Sequence, residues 1–123
     1  MRERLRALPL FADLDDERLD RLAAVTSEFE APAGQVLIER GGPGSGLFVL
    51  EHGLAVVEAP EGRRELAAGD VFGERALVGT DIERTARVRA ETDVRCLAIG
   101  RTELERLLAD DPRVADRLRE LGV

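Results

Sequence analysis

The chain contains no lysine, one cysteine and one histidine, and no apolar run near the ~20 residues that a membrane span requires. Each absence removes a class of chemistry. Without lysine there is neither Schiff-base catalysis nor a P-loop, whose lysine reaches the nucleotide phosphates. A lone Cys96 makes no internal disulfide, and a lone His52 cannot build a multi-histidine metal centre. No histidine sits in a motif matching Cys96, so its thiol reads as inert packing within the strand-like run VRCLAI. His52 precedes Gly53 and reads as a solvated turn residue. The N-terminal MRERLRALPLF is charged throughout and lacks the apolar stretch of a secretory signal, so the expected location is cytoplasmic.

What is present fits an ordinary globular domain. At 123 residues, 44% hydrophobic and 35% charged, the chain is long enough to bury a core as a single domain, 1–123. Its 18 basic residues, all arginine, are outnumbered by 25 acidic ones, for a net charge of −7. Broad binding to nucleic acid rests on neutralising phosphates, and this balance argues against it. Any anion bound here must be held locally.

Residues 2–25 read as helical: a short piece around Arg4 to Leu8, an interruption at Pro9, then DDERLDRLAAV with Leu19, Leu22 and Val25 at helical spacing. Asp15, Asp16 and Glu17 stand where a helix start favours negative charge. From Ser27 to Gly100 the pattern turns to short strands, near Glu28–Ala31, Gln35–Glu39, Gly46–Glu51, Leu54–Ala59, Arg64–Leu66, Arg84–Glu91 and Val94–Ile99, punctuated by turn residues. Such spacing indicates a sandwich or small barrel. The segment GGPGSG lacks the GxxxxGK[ST] pattern and reads as a hairpin connection, not a phosphate cradle. After Gly100 the chain is helical again: Thr102 with Glu105 suggests a capping box, Leu104, Leu107 and Leu108 form an apolar stripe, and Pro112 opens a last segment, RVADRLREL.

One stretch carries chemistry, FGERALVGTDIERTARVRA, residues 72–90. Alternation along a strand from Arg84 to Ala90 puts Ala86, Val88 and Ala90 on one face with Arg84, and Thr85, Arg87 and Arg89 on the other. An always-charged guanidinium aimed at a core needs an anion to meet it. Upstream, Gly73 permits a tight path and Glu74 to Val78 favour one helical turn, whose first N–H groups are free to bind an anion. Arginine beside unpaired amides suits a phosphate. Glu74 would repel that phosphate unless it accepts a hydrogen bond from a hydroxyl of the same ligand, and a sugar phosphate offers both groups.

These residues carry a resemblance. LPLFADLDDERLDRLA at the front, APAGQVLIERGGPGSGLFVLEHGLAVV in the first half of the strands, GDVFGERAL, and ERTARVRAETDVRCLAI after it make the chain from about Leu5 to Leu118 similar to the cyclic-nucleotide-binding domain of catabolite activators, protein kinase regulatory subunits and gated channels. The resemblance implies a mainly β fold: a double-stranded β-helix, or jelly-roll barrel, over 27–100, flanked by helices in 2–25 and 102–121, with a short phosphate-binding helix in the turn 72–86. It implies a ligand, cAMP or cGMP, and neither cofactor nor metal. The binding residues would be Phe72, Gly73, Glu74, Arg75, Ala76, Arg84, Thr85 and Ala86. Within that set Arg84 would pair with the cyclic phosphate, Glu74 would accept from the ribose 2′-hydroxyl, Gly73 and Ala76 would offer backbone N–H groups, and Thr85 would touch the phosphate or the base.

Three positions depart from the family pattern. Arg75 stands where Leu or Ile commonly carries the ligand signal to a helical lid, Glu83 stands where many members have Pro, and the last helix, about Pro112 to Leu121, is short for a lid over the base. Four functions compete on this reading: a regulatory sensor acting on a protein effector, a metal-dependent enzyme of the double-stranded β-helix type, a transcription factor, and a ligand-free interaction module. A single histidine argues against the second. The sequence stops before a helix-turn-helix, so no direct DNA binding is expected. Activators dimerise through the long helix missing here, which leaves a monomer or weak dimer as the expected state.

Overall fold

The computed structural model describes residues 1–38, 46–60, 62–72 and 87–121. Helix α1 (Arg2–Arg6) ends before Pro9, whose ring fixes φ and removes a donor, and the chain continues as a 3₁₀ turn over Pro9–Phe11. The Asp15 carboxylate accepts from the Arg18 backbone N–H at 2.8 Å and so caps α2 (Asp16–Val25), which buries Leu19 and Leu22. Eight strands follow: β1 (Thr26–Ala31), β2 (Val36–Ile38), β3 (Gly46–His52), β4 (Ala55–Ala59), β5 (Gly62–Leu66), β6 (Val71–Phe72), β7 (Arg87–Ala90) and β8 (Val94–Gly100). Helices α3 (Arg101–Asp110) and α4 (Pro112–Leu121) come after them.

The strands form two antiparallel sheets, in the orders β1-β8-β3-β6 and β2-β7-β4-β5. This is the jelly-roll architecture the sequence implied. Side chains from all eight strands meet between the sheets, among them Phe29, Ile38, Leu50, Ala55, Leu66, Phe72, Val88 and Cys96. The first sheet is apolar on its other face as well. Leu47 and Val49 of β3, Val71 of β6, and Leu97 and Ile99 of β8 join Leu5, Leu10, Phe11, Leu19, Leu22, Leu104 and Val114 in a second core beneath the helices. A strand covered on both faces loses the alternation of a half-exposed one, which is why LFVL in β3 is apolar throughout.

The expected elements are found with shifted ends. The first helix covers Arg2–Arg6, earlier than Arg4 to Leu8, and β5 begins at Gly62, two residues before Arg64. His52 is the exposed last residue of β3, in register with Arg95, and Gly53 makes the turn. The capping box at Thr102 is not formed. Gly100 occupies the N-cap without a side-chain bond, Thr102 lies inside the helix, and Glu105 accepts from Arg101 at 3.0 Å instead. The physical reason is that β8 runs through Gly100 and leads directly into α3, leaving no non-helical residue at 102 to serve as a cap.

Candidate ligand-binding site

The described residues frame the candidate site from both sides. The chain enters it from β6, an edge strand of two residues that pairs Phe72 with Phe48 and Val71 with Val49. Side-chain alternation sends these two residues to opposite faces. Val71 is buried under the helices, whereas Phe72, 3% exposed, enters the barrel interior. There its ring stacks on Phe48, with centroids 5.2 Å apart and planes 19° apart, and Phe48 in turn meets the edge of Phe29 at 5.8 Å. Just upstream, the Leu50 N–H donates to the Asp70 carbonyl (2.9 Å) and the Gly69 N–H to the Leu50 carbonyl (2.8 Å). These bonds extend the hold on a strand too short to hold itself.

The chain returns in β7, an inner strand of the other sheet. Val88 and Ala90, 4% and 1% exposed, face the core. Arg87 and Arg89 are partly exposed on the opposite face, where Arg89 pairs with Glu58 at 3.4 Å. The two faces expected of this strand are therefore present as far as the described residues run. Of the expected site residues, Phe72 is described; Gly73, Glu74, Arg75, Ala76, Arg84, Thr85 and Ala86 lie outside the described residues. So do the one-turn phosphate-binding helix and positions 41–45 of GGPGSG.

The barrel interior between the sheets is apolar, and Phe29, Phe48, Phe72, Val57 and Val88 contribute to it. Cys96 belongs to the same core, and burial, reinforced by the nearby Glu51 charge, pushes its thiol up to about 11. It is therefore packing, as its place in VRCLAI suggested, and not a nucleophile. Among the described residues no group of three or more His, Cys, Asp or Glu side chains gathers to hold a metal, and no helix is long and apolar enough to cross a membrane.

Comparison with known proteins settles the family. The model of the cyclic nucleotide-binding domain matches residues 28–111, which span both flanks of the site. The chain belongs to this family. It is 38% identical over 94 residues to an uncharacterised NTE family protein of Mycobacterium bovis, covering 75% of this chain and 16% of that protein. It is 37% identical over 109 residues to a cAMP-dependent protein kinase regulatory subunit of Aspergillus fumigatus, covering 85% of this chain and 26% of that one. Among solved structures, the regulatory subunit of a cAMP-independent protein kinase A from Trypanosoma brucei superposes with a TM-score of 0.84 at 27% identity, over 96% of this chain and 44% of its own. The chain thus spans a minor part of these relatives. Cyclic nucleotide-binding domains are ligand-binding regulatory modules, not catalytic ones.

Two features of this family member were not read from the sequence. One is the Phe29–Phe48–Phe72 cluster, whose members come from three strands far apart in the chain. The only local signal was apolar side chains on both parities of β3. The other is an ion network on the helix side of the first sheet. The Glu51 carboxylate, 12% exposed, accepts from Arg4 at 2.5 and 2.8 Å and from Arg95 at 2.8 Å, while Arg4 also pairs with Glu28. The β3–β8 register shifts between Leu50 and His52, at Glu51. Hydrogen bonds from Arg4, and then from Arg95, hold the Glu51 carboxyl below its usual 4.5 despite its burial.

Proposed function

We propose that this domain is a regulatory sensor that binds a cyclic nucleotide, cAMP or cGMP, through its phosphate and ribose, and passes binding allosterically to a protein effector. The observation that carries the reading is the inward face of β7. Val88 and Ala90 point into the core, and the same parity extended two and four residues upstream of Val88 would bring Ala86 and Arg84 to the interior. A guanidinium there needs an anion, and FGERAL supplies the glycine, amides and carboxylate suited to a phosphate joined to a sugar. In this reading Arg84 pairs with the phosphate, Glu74 accepts from the ribose 2′-hydroxyl, and the Gly73 and Ala76 amides complete the anion site. Phe72, Arg75, Thr85 and Ala86 flank it. Family membership and the kinship with a cAMP-dependent kinase subunit support the same reading.

A second reading is a ligand-free interaction module in which Arg84 pairs with Glu74 or Glu83. It is favoured by the close structural likeness to a kinase subunit described as cAMP-independent. Titration calorimetry with each nucleotide separates the two. The sensor reading expects micromolar binding, about −8 kcal/mol, largely lost in Arg84→Ala. Absence of heat and of thermal stabilisation at millimolar nucleotide would establish the ligand-free module. Sedimentation with and without nucleotide tests the monomer or weak dimer expected of the chain.

A further inference from the structure

We propose that β1, independently of the nucleotide site, is a docking strand for an extended segment of a partner protein in which basic and apolar side chains alternate. β1 lies at the edge of the first sheet and, at six residues, is the longest of the edge strands described. Its six pairs with β8 run without a register shift, so no bulge twists this edge away from a neighbour. Among the described residues, Ser27 to Ala31 make backbone hydrogen bonds to β8 alone. Alternate N–H and C=O groups of β1 therefore point away from the sheet, and such an edge is a template for one more strand.

The register fixes what an added strand would meet. Glu28 and Glu30 stand opposite Leu97 and Arg95 and share the helix side, whereas Phe29 stands opposite Cys96 on the barrel side. Arg95 is in turn in register with His52, so Glu30, Arg95 and His52 form a row across three strands. Beside that row lies an open cavity of about 390 Å³, whose lining includes Glu30, Pro32, His52, Asp93 and Arg95. The cations there are already matched: Arg95 and Arg4 pair with Glu51, and Arg4 also pairs with Glu28. Glu30 and Asp93 are left over. Neither has a cationic partner among the described residues, and Asp93 uses one oxygen on the Ala33 N–H. The open charge is thus negative, within a chain that carries −7, and it selects a basic side chain. Opposite charges attract and like charges repel across adjacent strands, so the partner residue beside Glu30 would be arginine or lysine. Its two neighbours, on the other parity, would lie at the barrel side beside the half-buried Phe29, where apolar side chains fit.

The test is nuclear magnetic resonance on the full chain without nucleotide, using two synthetic probes, acetyl-Thr-Arg-Val-Arg-Thr-amide and acetyl-Thr-Glu-Val-Glu-Thr-amide. The arginine peptide should shift the amides of Thr26 to Ala31 and of Asp93 saturably in the millimolar range. The glutamate peptide should bind about tenfold more weakly, the scale of two cross-strand charge pairs. Glu30→Lys should reverse that preference, and Glu30→Gln, which keeps the shape of the side chain, should reduce it. Backbone pairing is read with two N-methylated forms of the arginine peptide, one methylated at both arginines and the other at the threonines and the valine. These modifications block opposite edges of an extended strand, so one form should bind and the other should not. Absence of shifts at β1, equal binding of the arginine and glutamate peptides, an unchanged preference in both Glu30 variants, or equal behaviour of the two methylated forms overturns the proposal. No nucleotide is present, so failure here leaves the sensor reading standing.

Discussion

Gly53 is held at φ +93° in the turn between β3 and β4, and a Cβ built there would stand 2.3 Å from the Asp93 carbonyl oxygen. Both the conformation and the space therefore demand glycine. Gly53→Ala should cost about 2 to 4 kcal/mol, from left-handed strain plus displacement of the β7–β8 turn, read as a lower urea midpoint. The turn it presses against is tightly specified: Thr92 Oγ1 accepts from the Leu54 N–H, and an Asp93 carboxylate oxygen from the Ala33 N–H, both at 2.9 Å. At this scale the sequence was informative. His52-Gly53 and Thr92-Asp93 were both recognisable as punctuation, because glycine, aspartate and threonine signal turns through local chemistry. The contact between the two turns was not recognisable, since nothing near Gly53 in the chain refers to Asp93.

At the scale of elements, α1 is a helix of five residues, too short to persist without tertiary support. Leu5 buries it against the sheet, and Arg4 ties it to Glu51 and Glu28. The Glu51 carboxyl is held below its usual 4.5, so the folded chain binds fewer protons there than the unfolded one. Its contribution is present in full above about pH 5 and disappears as pH falls through and below the ordinary carboxylate range. Glu51→Gln should lose about 1 to 3 kcal/mol at neutral pH, because Arg95 loses this carboxylate and Arg4 keeps its pairing with Glu28 but loses its charged bonds to Glu51. Urea midpoints from pH 7 to pH 3 should fall less steeply in the variant than in the unsubstituted chain. Equal slopes would show that Glu51 adds nothing to the acid sensitivity. The elements themselves were largely legible, because helix caps, Pro9, Pro112 and strand alternation are local. Their ends shifted where tertiary pairing intervened, as at Gly100, where β8 extends up to the helix and displaces the cap expected at Thr102.

For the whole molecule the decisive fact is that one sheet serves two cores. Leu97 and Ile99 of β8 face the helices, while Val94 and Cys96 of the same strand face the barrel interior. Loosening either core disturbs the strand shared by both, so the helical layer and the barrel should unfold together. Leu97→Ala removes a fully buried side chain and should cost about 2 to 5 kcal/mol. Helical circular dichroism and the reactivity of Cys96 toward a disulfide reagent should report coincident transitions, both moved to lower denaturant. Cys96 suits this use because its buried thiol, with its pKa pushed up to about 11, stays unreactive until the barrel opens. Separate midpoints for the two probes would mean that the helices come away from a barrel that still stands.

The sequence alone determined what depends on neighbouring residues: helices at both ends, short strands between them, the inward parity of Val88 and Ala90, and the FGE and RTA marks of a cyclic nucleotide-binding domain. Periodicity, turn chemistry and motif spacing are properties of a few consecutive positions, so they survive without coordinates. The tertiary structure decided which sheet is covered on both faces, which ring Phe72 rests on, and which arginines hold Glu51. Those depend on residues 24 to 47 positions apart in the chain, as for Phe48 with Phe72 and Arg4 with Glu51, brought together by burial that no local pattern encodes.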